Sequence, residues 1–586
     1  MKKKYLSVMK KYVLTCFLFT TTLLHCQTNL LVSSSIADQV IKGNFDPLQF
    51  VSSNPVSDHQ QIVQYIQNNV QPDSLKAYIL KLASFQNRNT GSDTVSAVTG
   101  IGATRRWAFS KFEEFSTSAE NRLIPSYFQF DQLICGVNQH RNIMAVLPGT
   151  NVDLHEVIII EGHIDSRCEA ACDILCEAQG IEDNASGSAL VLELARVMST
   201  FSYPNTIVFM LTIGEEQGLY GSNAFALYCQ TNTIPVKAVL NNDVIGGVIC
   251  GNTSSAPSCP GVNDIDSTQV RLFSYGGFNS PYKQLSRFVK LQYKEELVQY
   301  VNVPMLLSIM TPEDRSGRSG DHVPFRQKNF TACRFTSANE HGDASNGAGY
   351  IDRQHTSGDI LGIDTDSNGQ IDSFFVDFNY LARNAVINGT ATTIIAKGPK
   401  KPDFLIHTII GPGLIIEIID QTQYASYRVG IRSLTNDWDS VYTITGIIDT
   451  IYPVQATNYY VSVASVDDVG MESLFSKEIN IFDSQMAVNE LQTEDSRPFH
   501  LLQNKPNPFD EATIIGVYVK NPTNYKKAWI TIEDVDGKEI ERIAIDLTNE
   551  INEVQYTHGY GKSGSFTYTL YVDNKKIESK RMVFAN

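Results

Sequence analysis

Apolar residues along this chain follow two periodicities that change at identifiable points. Between residues 58 and 115 they recur at helical spacing: Pro72 and Asp73 open a segment that lines up Leu75, Tyr78, Ile79 and Leu82 on one face. A second helix is predicted over 103–115. From residue 142 the pattern becomes unbroken apolar runs, at 142–147, 156–160, 206–213 and 236–240, separated by amphipathic stretches at 189–198 and 222–229. Strands apolar throughout must be covered on both faces, so this alternation predicts an α/β fold with a mostly parallel, mixed sheet sandwiched by helices. The expected limits of that domain are 30–398, with its helical N-terminal part at about 58–115. Beyond Lys400 the runs shorten to period-two alternation between turn residues, which predicts two β-sandwich domains, 400–482 and 498–586, joined by a linker at 484–497.

Composition narrows the class. The chain has 586 residues and a formal charge of −16, with five lysines and no acid among the first 26 residues. An acidic protein is repelled by phosphate backbones at long range, which argues against a nucleic-acid partner. The basic start and the short apolar stretch Tyr12 to Leu24 predict a signal peptide over 1–26 and a secreted or cell-surface protein. A lipid anchor at Cys26 is the competing reading, but Leu23-Leu24-His25 lacks the small residues expected before a lipidated Cys. No later apolar run reaches the length of a membrane span. Eight cysteines remain after residue 26, all between Cys135 and Cys333. In an oxidising compartment an even number predicts disulfides, in preference to a thiolate metal site at Cys168, Cys172 and Cys176.

Candidate chemistry lies where polar residues interrupt the apolar strands. One run ends in Glu161-Gly-His163-Ile-Asp165, the next in Gly214-Glu215-Glu216, the third in Asn241-Asn242-Asp243, and an acidic turn Asp183-Asn-Ala-Ser-Gly lies between the first two. Ligands of open parallel sheets gather at the carboxyl ends of the strands. An imidazole and several carboxylates brought to one rim repel unless a cation neutralises them, and mixed His/Asp/Glu ligation suits a catalytic zinc.

These residues, with Gly320-Asp321-His322-Val-Pro-Phe and Arg353-Gln-His355-Thr-Ser-Gly-Asp359, resemble the ordered motif set of metallopeptidase family 28, co-catalytic zinc exopeptidases that are mainly aminopeptidases. The resemblance runs from about Leu75 to Asn388. It implies two zinc ions, with His163 and Asp243 on one, Glu216 and His355 on the other, and Asp183 bridging. It further implies Glu215 as general base and peptide or protein N-termini as substrates. Asp165, two residues from His163 in an extended segment, is expected to take the other imidazole N–H and set its tautomer. His322 is expected as a donor beside the site, with Gly320 standing where Ser is frequent. His341 is a competing ligand that lacks the following Thr-x-x-Asp. Because every implied ligand precedes Lys400, the catalytic unit is expected to act without the sandwiches.

Further signals concern accessory functions. Asp364, Asp366, Asn368, Gln370 and Asp372 alternate around Gly369 as in a calcium loop, but Phe375 occupies the twelfth position where Glu would complete it. Tyr427-Arg-Val-Gly-Ile and the strand from Tyr459 resemble paired core strands of a fibronectin type III domain, with Trp438 as a core aromatic. The region around Pro506-Asn-Pro508-Phe509 and the basic C-terminal end resembles a type A sorting domain, which implies the type IX secretion machinery as a partner. Two other functions are compatible with the sequence: a glutaminyl-peptide cyclotransferase with a single zinc, and a non-catalytic adhesion or binding protein.

Overall fold

The computed structural model describes residues 27–586 apart from 54–55, 57, 152, 250–264, 277–279, 312, 315–317, 339–352, 409–412, 434–435, 453–457, 483–497, 506, 510–511, 521–524, 536, 549–550, 559–563 and 585–586. The expected signal peptide, the linker, Cys250, Cys259 and His341 lie outside the described residues. Among these residues no helix is long and apolar enough to cross a membrane.

The first domain is built on nine strands: β1 (Thr28–Val32), β2 (Ile124–Ile134), β3 (Val137–Leu147), β4 (Val157–His163), β5 (Thr206–Thr212), β6 (Val236–Asn242), β7 (Gln269–Phe273), β8 (Leu306–Ile309) and β9 (Ala332–Ser337). They form one sheet in the order β1-β2-β3-β5-β4-β6-β9-β7-β8. The middle strands β5, β4, β6 and β9 run parallel, while β1 to β3 and the β7–β9 pair add antiparallel neighbours. All seven residues of β4 and of β5 are buried, as strands covered on both faces require.

Among the described residues nine α-helices accompany the sheet, α1 (Ser35–Ile41), α2 (His59–Asn69), α3 (Pro72–Ala83), α4 (Gly100–Ser118), α5 (Gly187–Met198), α6 (Tyr220–Thr231), α7 (Gln284–Gln292), α8 (His322–Gln327) and α9 (Phe378–Lys397), with α2 and α3 packed on α5 and α9. Leu75, Tyr78, Ile79 and Leu82 form the buried face of α3, as their spacing predicts. The chain leaves β4 for β5 on one side, then crosses back to β6 on the other. Right-handed crossovers in opposite directions put α5 and α6 on opposite faces, and a crevice opens between them at the carboxyl ends of the strands. The motif residues sit there.

Residues 404–482 form a three-stranded and a four-stranded antiparallel sheet with their own core, and Tyr427 pairs with Ser465 across the larger one. Residues 499–584 form another pair of sheets with a separate core. The first sandwich is not self-contained. Its residues Ala464, Met471, Leu474 and Phe475 belong to the same apolar cluster as the first domain. Trp438 is not in the sandwich core, as expected from sequence, but at this junction, where its indole Nε1 donates to the carbonyl of Arg287 on α7 at 2.9 Å and its ring lies 4.7 Å from Phe475. Beneath it, buried Arg432 grips Glu478 through two hydrogen bonds of 2.5 and 2.6 Å, and Arg287 approaches the same carboxylate at 3.5 Å.

Candidate metal centre

Three strand ends and two loops deliver the charged groups. His163 closes β4, Glu215 and Glu216 follow β5, and Asp243 follows β6. Asp183 arrives on the turn before α5, which reaches the strands because Gly187 has no Cβ: one built there would lie 2.1 Å from the carbonyl of Asn242. That turn contains a cis peptide between Asp183 and Asn184. The Asn184 side chain ties the turn to β6, donating to the carbonyl of Asn242 at 2.9 Å and accepting from the N–H of Val244 at 3.2 Å.

The geometry groups the residues into two sets that share one carboxylate. His163 Nε2 lies 3.1 Å from Asp183 Oδ1 and 3.3 Å from Asp243 Oδ1. His355 Nε2 lies 3.1 Å from Asp183 Oδ2 and 3.1 Å from Glu216 Oε2. Each oxygen of Asp183 thus faces a different histidine. Atoms bound about 2.05 Å from a tetrahedral ion lie about 3.3 Å apart, so both sets have the spacing of ligands around a small cation. The donor set fits zinc by its chemistry, and Glu216 Oε1 and Asp165 Oδ1 are buried oxygens with no hydrogen-bond donor.

Electrostatics follow from burial and crowding. Burial alone would depress the His163 imidazole, but the Glu215 and Asp243 carboxylates outweigh it and hold its pKa well above the usual range. His355 is pushed up to about 9, burial again being overcome, here by Glu216 and Asp183. Burial would raise Asp183, yet hydrogen bonds to both imidazoles hold it well below the ordinary carboxylate range. Glu215 goes the other way: removal from water, helped by Asp243 and Glu216, pushes it well above that range.

Residues around these groups hold them in place. His163 Nδ1 is 3.1 Å from the backbone carbonyl of Asp165 and 3.6 Å from its carboxylate, so both groups of Asp165 face that nitrogen and the carbonyl is the nearer. The Asp165 carboxylate instead accepts from Thr90 Oγ1 at 3.2 Å and the N–H of Glu216 at 3.3 Å, joining the β4 and β5 ends. Asp359 accepts from the N–H groups of Glu182 and Asp183, each at 3.0 Å. Arg334 braces Asp243 at 3.2 Å and binds Asp314 at 2.6 Å. Arg88, fully buried, donates to the carbonyls of Ile164 and Gly180 at 2.8 and 2.9 Å and to that of Gln179. His322 is buried at the start of α8 with Nε2 3.0 Å from the carbonyl of Glu313, apart from both ligand sets. The sequence reading missed Arg88, Thr90 and Arg334. Only the polar run Arg88-Asn-Thr-Gly after the apolar face of α3 hinted at the first two.

A disulfide-braced loop forms one wall. Cys168 pairs with Cys176, and Cys172 ties the loop to Cys135 in the β2–β3 turn. Asn89 and Gln217 both donate to the carbonyl of Ala171, at 2.8 and 3.1 Å. The expected disulfides involve four of the six described cysteines, and Cys168, Cys172 and Cys176 are all bridged. Cys229 on α6 and Cys333 on β9 are free and buried in the core, where they act as small apolar side chains. In the loop after His355, Asp364, Asp366 and Asp372 cluster, the backbone N–H groups of Asn368 and Gly369 donate to the first two, and that of Gln370 donates to Asn368. Phe375 is buried, its ring under Arg353.

Comparisons with known proteins find similarity over the same part of the chain. Residues 142–378 match the model of Peptidase family M28. A probable zinc metalloprotease of Leptosphaeria maculans is 28% identical over 424 residues, 70% of this chain and 94% of that protein. Another, of Pyricularia oryzae, is 32% identical over 349 residues, 56% of this chain and 65% of that protein. Among solved structures, the LapA aminopeptidase of Legionella pneumophila aligns over 59% of this chain and 78% of its own, at 19% identity and a TM-score of 0.42. The glutaminyl cyclase of Porphyromonas gingivalis aligns over 55% and 97%, at 16% identity and 0.38. The segment that matches this family model contains every residue of the two ligand sets, and both curated relatives are described as probable zinc metalloproteases.

Proposed function

We propose that the protein is a two-zinc aminopeptidase that hydrolyses the N-terminal bond of peptides. The observation that carries the reading is the shared carboxylate: Asp183 presents one oxygen to His163 and the other to His355, each at 3.1 Å. On this reading His163 and Asp243 hold one ion, Glu216 and His355 the other, and Asp183 both. Zinc bound there would supply Lewis acidity toward a substrate carbonyl and would acidify water. The chain's own residues do the rest. Glu215, whose raised pKa makes it able both to accept and to return a proton, takes a proton from the attacking water and passes it to the leaving amine. Asp165 holds the Glu216 backbone and thereby the direction in which the adjacent Glu215 points.

Elemental analysis and an assay on leucyl substrates test this together. Two zinc ions per chain and release of the N-terminal residue are expected. One zinc with pyroglutamyl formation from N-terminal glutamine would make it a cyclotransferase, and neither metal nor turnover would leave an adhesion protein.

The accessory readings belong to the same proposal. Export through the signal peptide and the type IX machinery, with a fibronectin type III-like module between enzyme and sorting domain, places the enzyme outside the cell. Calcium at Asp364, Asp366, Asn368, Gln370 and Asp372 would stiffen the loop after His355. A rise in melting temperature on adding calcium, absent in Asp364→Asn, checks it.

A further inference from the structure

A cavity of about 260 Å³ that shares no residue with the metal centre lies between the α2–α3 turn, the first half of α9 and the chain that follows α7. Positions 379, 382, 383, 386 and 387 of α9 recur at helical spacing, so one stripe of that helix forms a wall. Most of the lining is aliphatic: Val70 from the turn, Leu297, Val303 and Met305 from the chain after α7, and Val386 and Ile387 from α9. Such a surface favours an apolar occupant over water.

One charge interrupts this lining, and it is positive. Arg383 Nη2 donates to the carbonyl of Ser267 at 2.6 Å, and its guanidinium carbon lies 5.9 Å from the centre of the Tyr380 ring. Its Nε is buried without an acceptor, and among the described residues no carboxylate pairs with it. The cavity lining holds no acid. Tyr293, on another wall, accepts from the N–H of Met305 at 2.6 Å through its hydroxyl. The Arg383 charge reaches that hydroxyl, where it opposes the burial that raises the tyrosine pKa. In a chain of formal charge −16, an acid-free cavity with one cation attracts an anion locally, and the planar guanidinium suits a carboxylate. At about 30 Å³ per non-hydrogen atom, the share of one water in the liquid, the space holds about nine such atoms. That is the size of a carboxylate on a chain of about five or six carbons.

We propose that this cavity binds a small aliphatic carboxylate, with its chain against Val70, Met305 and Val386 and its charge at Arg383. A short fatty acid and a free amino acid with an aliphatic side chain share this chemistry. For the second, the lining amides of Gln67, Asn302 and Asn379 offer acceptor oxygens to the ammonium. The site stands or falls without the aminopeptidase reading.

Calorimetric titration of the full chain with hexanoate, hexanamide, hexylamine and leucine tests this. One carboxylate per chain is expected, with hexanamide about tenfold weaker than hexanoate, the size of a charge-assisted hydrogen bond, and hexylamine unbound. Leucine bound more tightly than hexanoate identifies an amino acid as the source, and the reverse order a fatty acid. Ala382→Phe fills the cavity, and Val303→Glu supplies Arg383 with a carboxylate from a residue that is 40% exposed and tolerates a charge. Each should abolish binding of both carboxylates while circular dichroism stays that of the wild type, and the second keeps the test decisive if the first does not fold. A carboxylate still bound by either folded variant would sit elsewhere, at the metal centre or on the surface, and would overturn the site. Equal binding of hexanoate and hexanamide, or no binding by any of the four, would overturn it too.

Discussion

Arg88 has no exposed surface and uses its guanidinium on main-chain carbonyls at two ends of the site, Ile164 beside His163 and Gly180 before Asp183. Burial depresses its pKa to about 10, still well above neutrality, so it stays charged. Arg88→Met should lower unfolding stability by about 3–5 kcal/mol, because buried carbonyls lose their donor and buried acids lose a counter-charge. A urea denaturation midpoint checks this. At the neighbouring glutamates the outcomes should diverge. Glu215→Gln should keep two zinc ions and lose about 10²–10⁴ in kcat, whereas Glu216→Gln should lose metal. Metal analysis beside turnover separates them, and the reverse pattern would exchange the two roles. The groups legible in the sequence, His163, Glu215, Glu216 and Asp243, were those that interrupt apolar runs at strand ends. Arg88 and Arg334 were not, because a side chain that binds a distant carbonyl or carboxylate leaves no periodicity in its own neighbourhood.

At the level of elements, the wall from Arg167 to Ala178 has no helix or strand to hold it and depends on cross-links. Replacing both Cys168 and Cys176 by Ser removes a short closed loop, for which chain entropy alone predicts a loss of about 2.5 kcal/mol. Thermal unfolding should show the drop, and kcat/KM should fall with it as that wall gains freedom. The pairing itself was not readable, since an even count gives no connectivity, and two of the eight cysteines proved to be core residues of α6 and β9. Helices and central strands were read closely, α3 and β5 above all, because a buried stripe or a wholly buried strand writes its period into the sequence. β1 was missed: five residues at a sheet edge with one buried side chain carry too little pattern.

For the whole molecule, the junction between the first domain and the first sandwich revises the expectation of an independent catalytic unit. Ending the chain at 398 would strip Phe475 and Trp438 from the common apolar cluster and leave Arg287 without Glu478. That fragment is expected to be unstable or insoluble, whereas a chain ending at 482 should hold zinc and turn over. In the intact protein Glu478→Gln should cost about 3–5 kcal/mol, the usual penalty for breaking one partner out of a buried charge cluster. Calorimetry on the three proteins decides it. The sequence separated the sandwiches by their alternation but could not show that one of them is docked, because junction residues such as Leu474 and Phe475 read as ordinary strand or turn positions. The order in which the chain supplies its parts has a biosynthetic consequence. Clamp and ligands span Arg88 to Asp359, and the support under α7 arrives only with Glu478. A ribosome delivering this chain N-terminus first must release it as far as Glu478 before the centre and its support can both be in place, so the catalytic unit cannot be completed until the first sandwich has emerged.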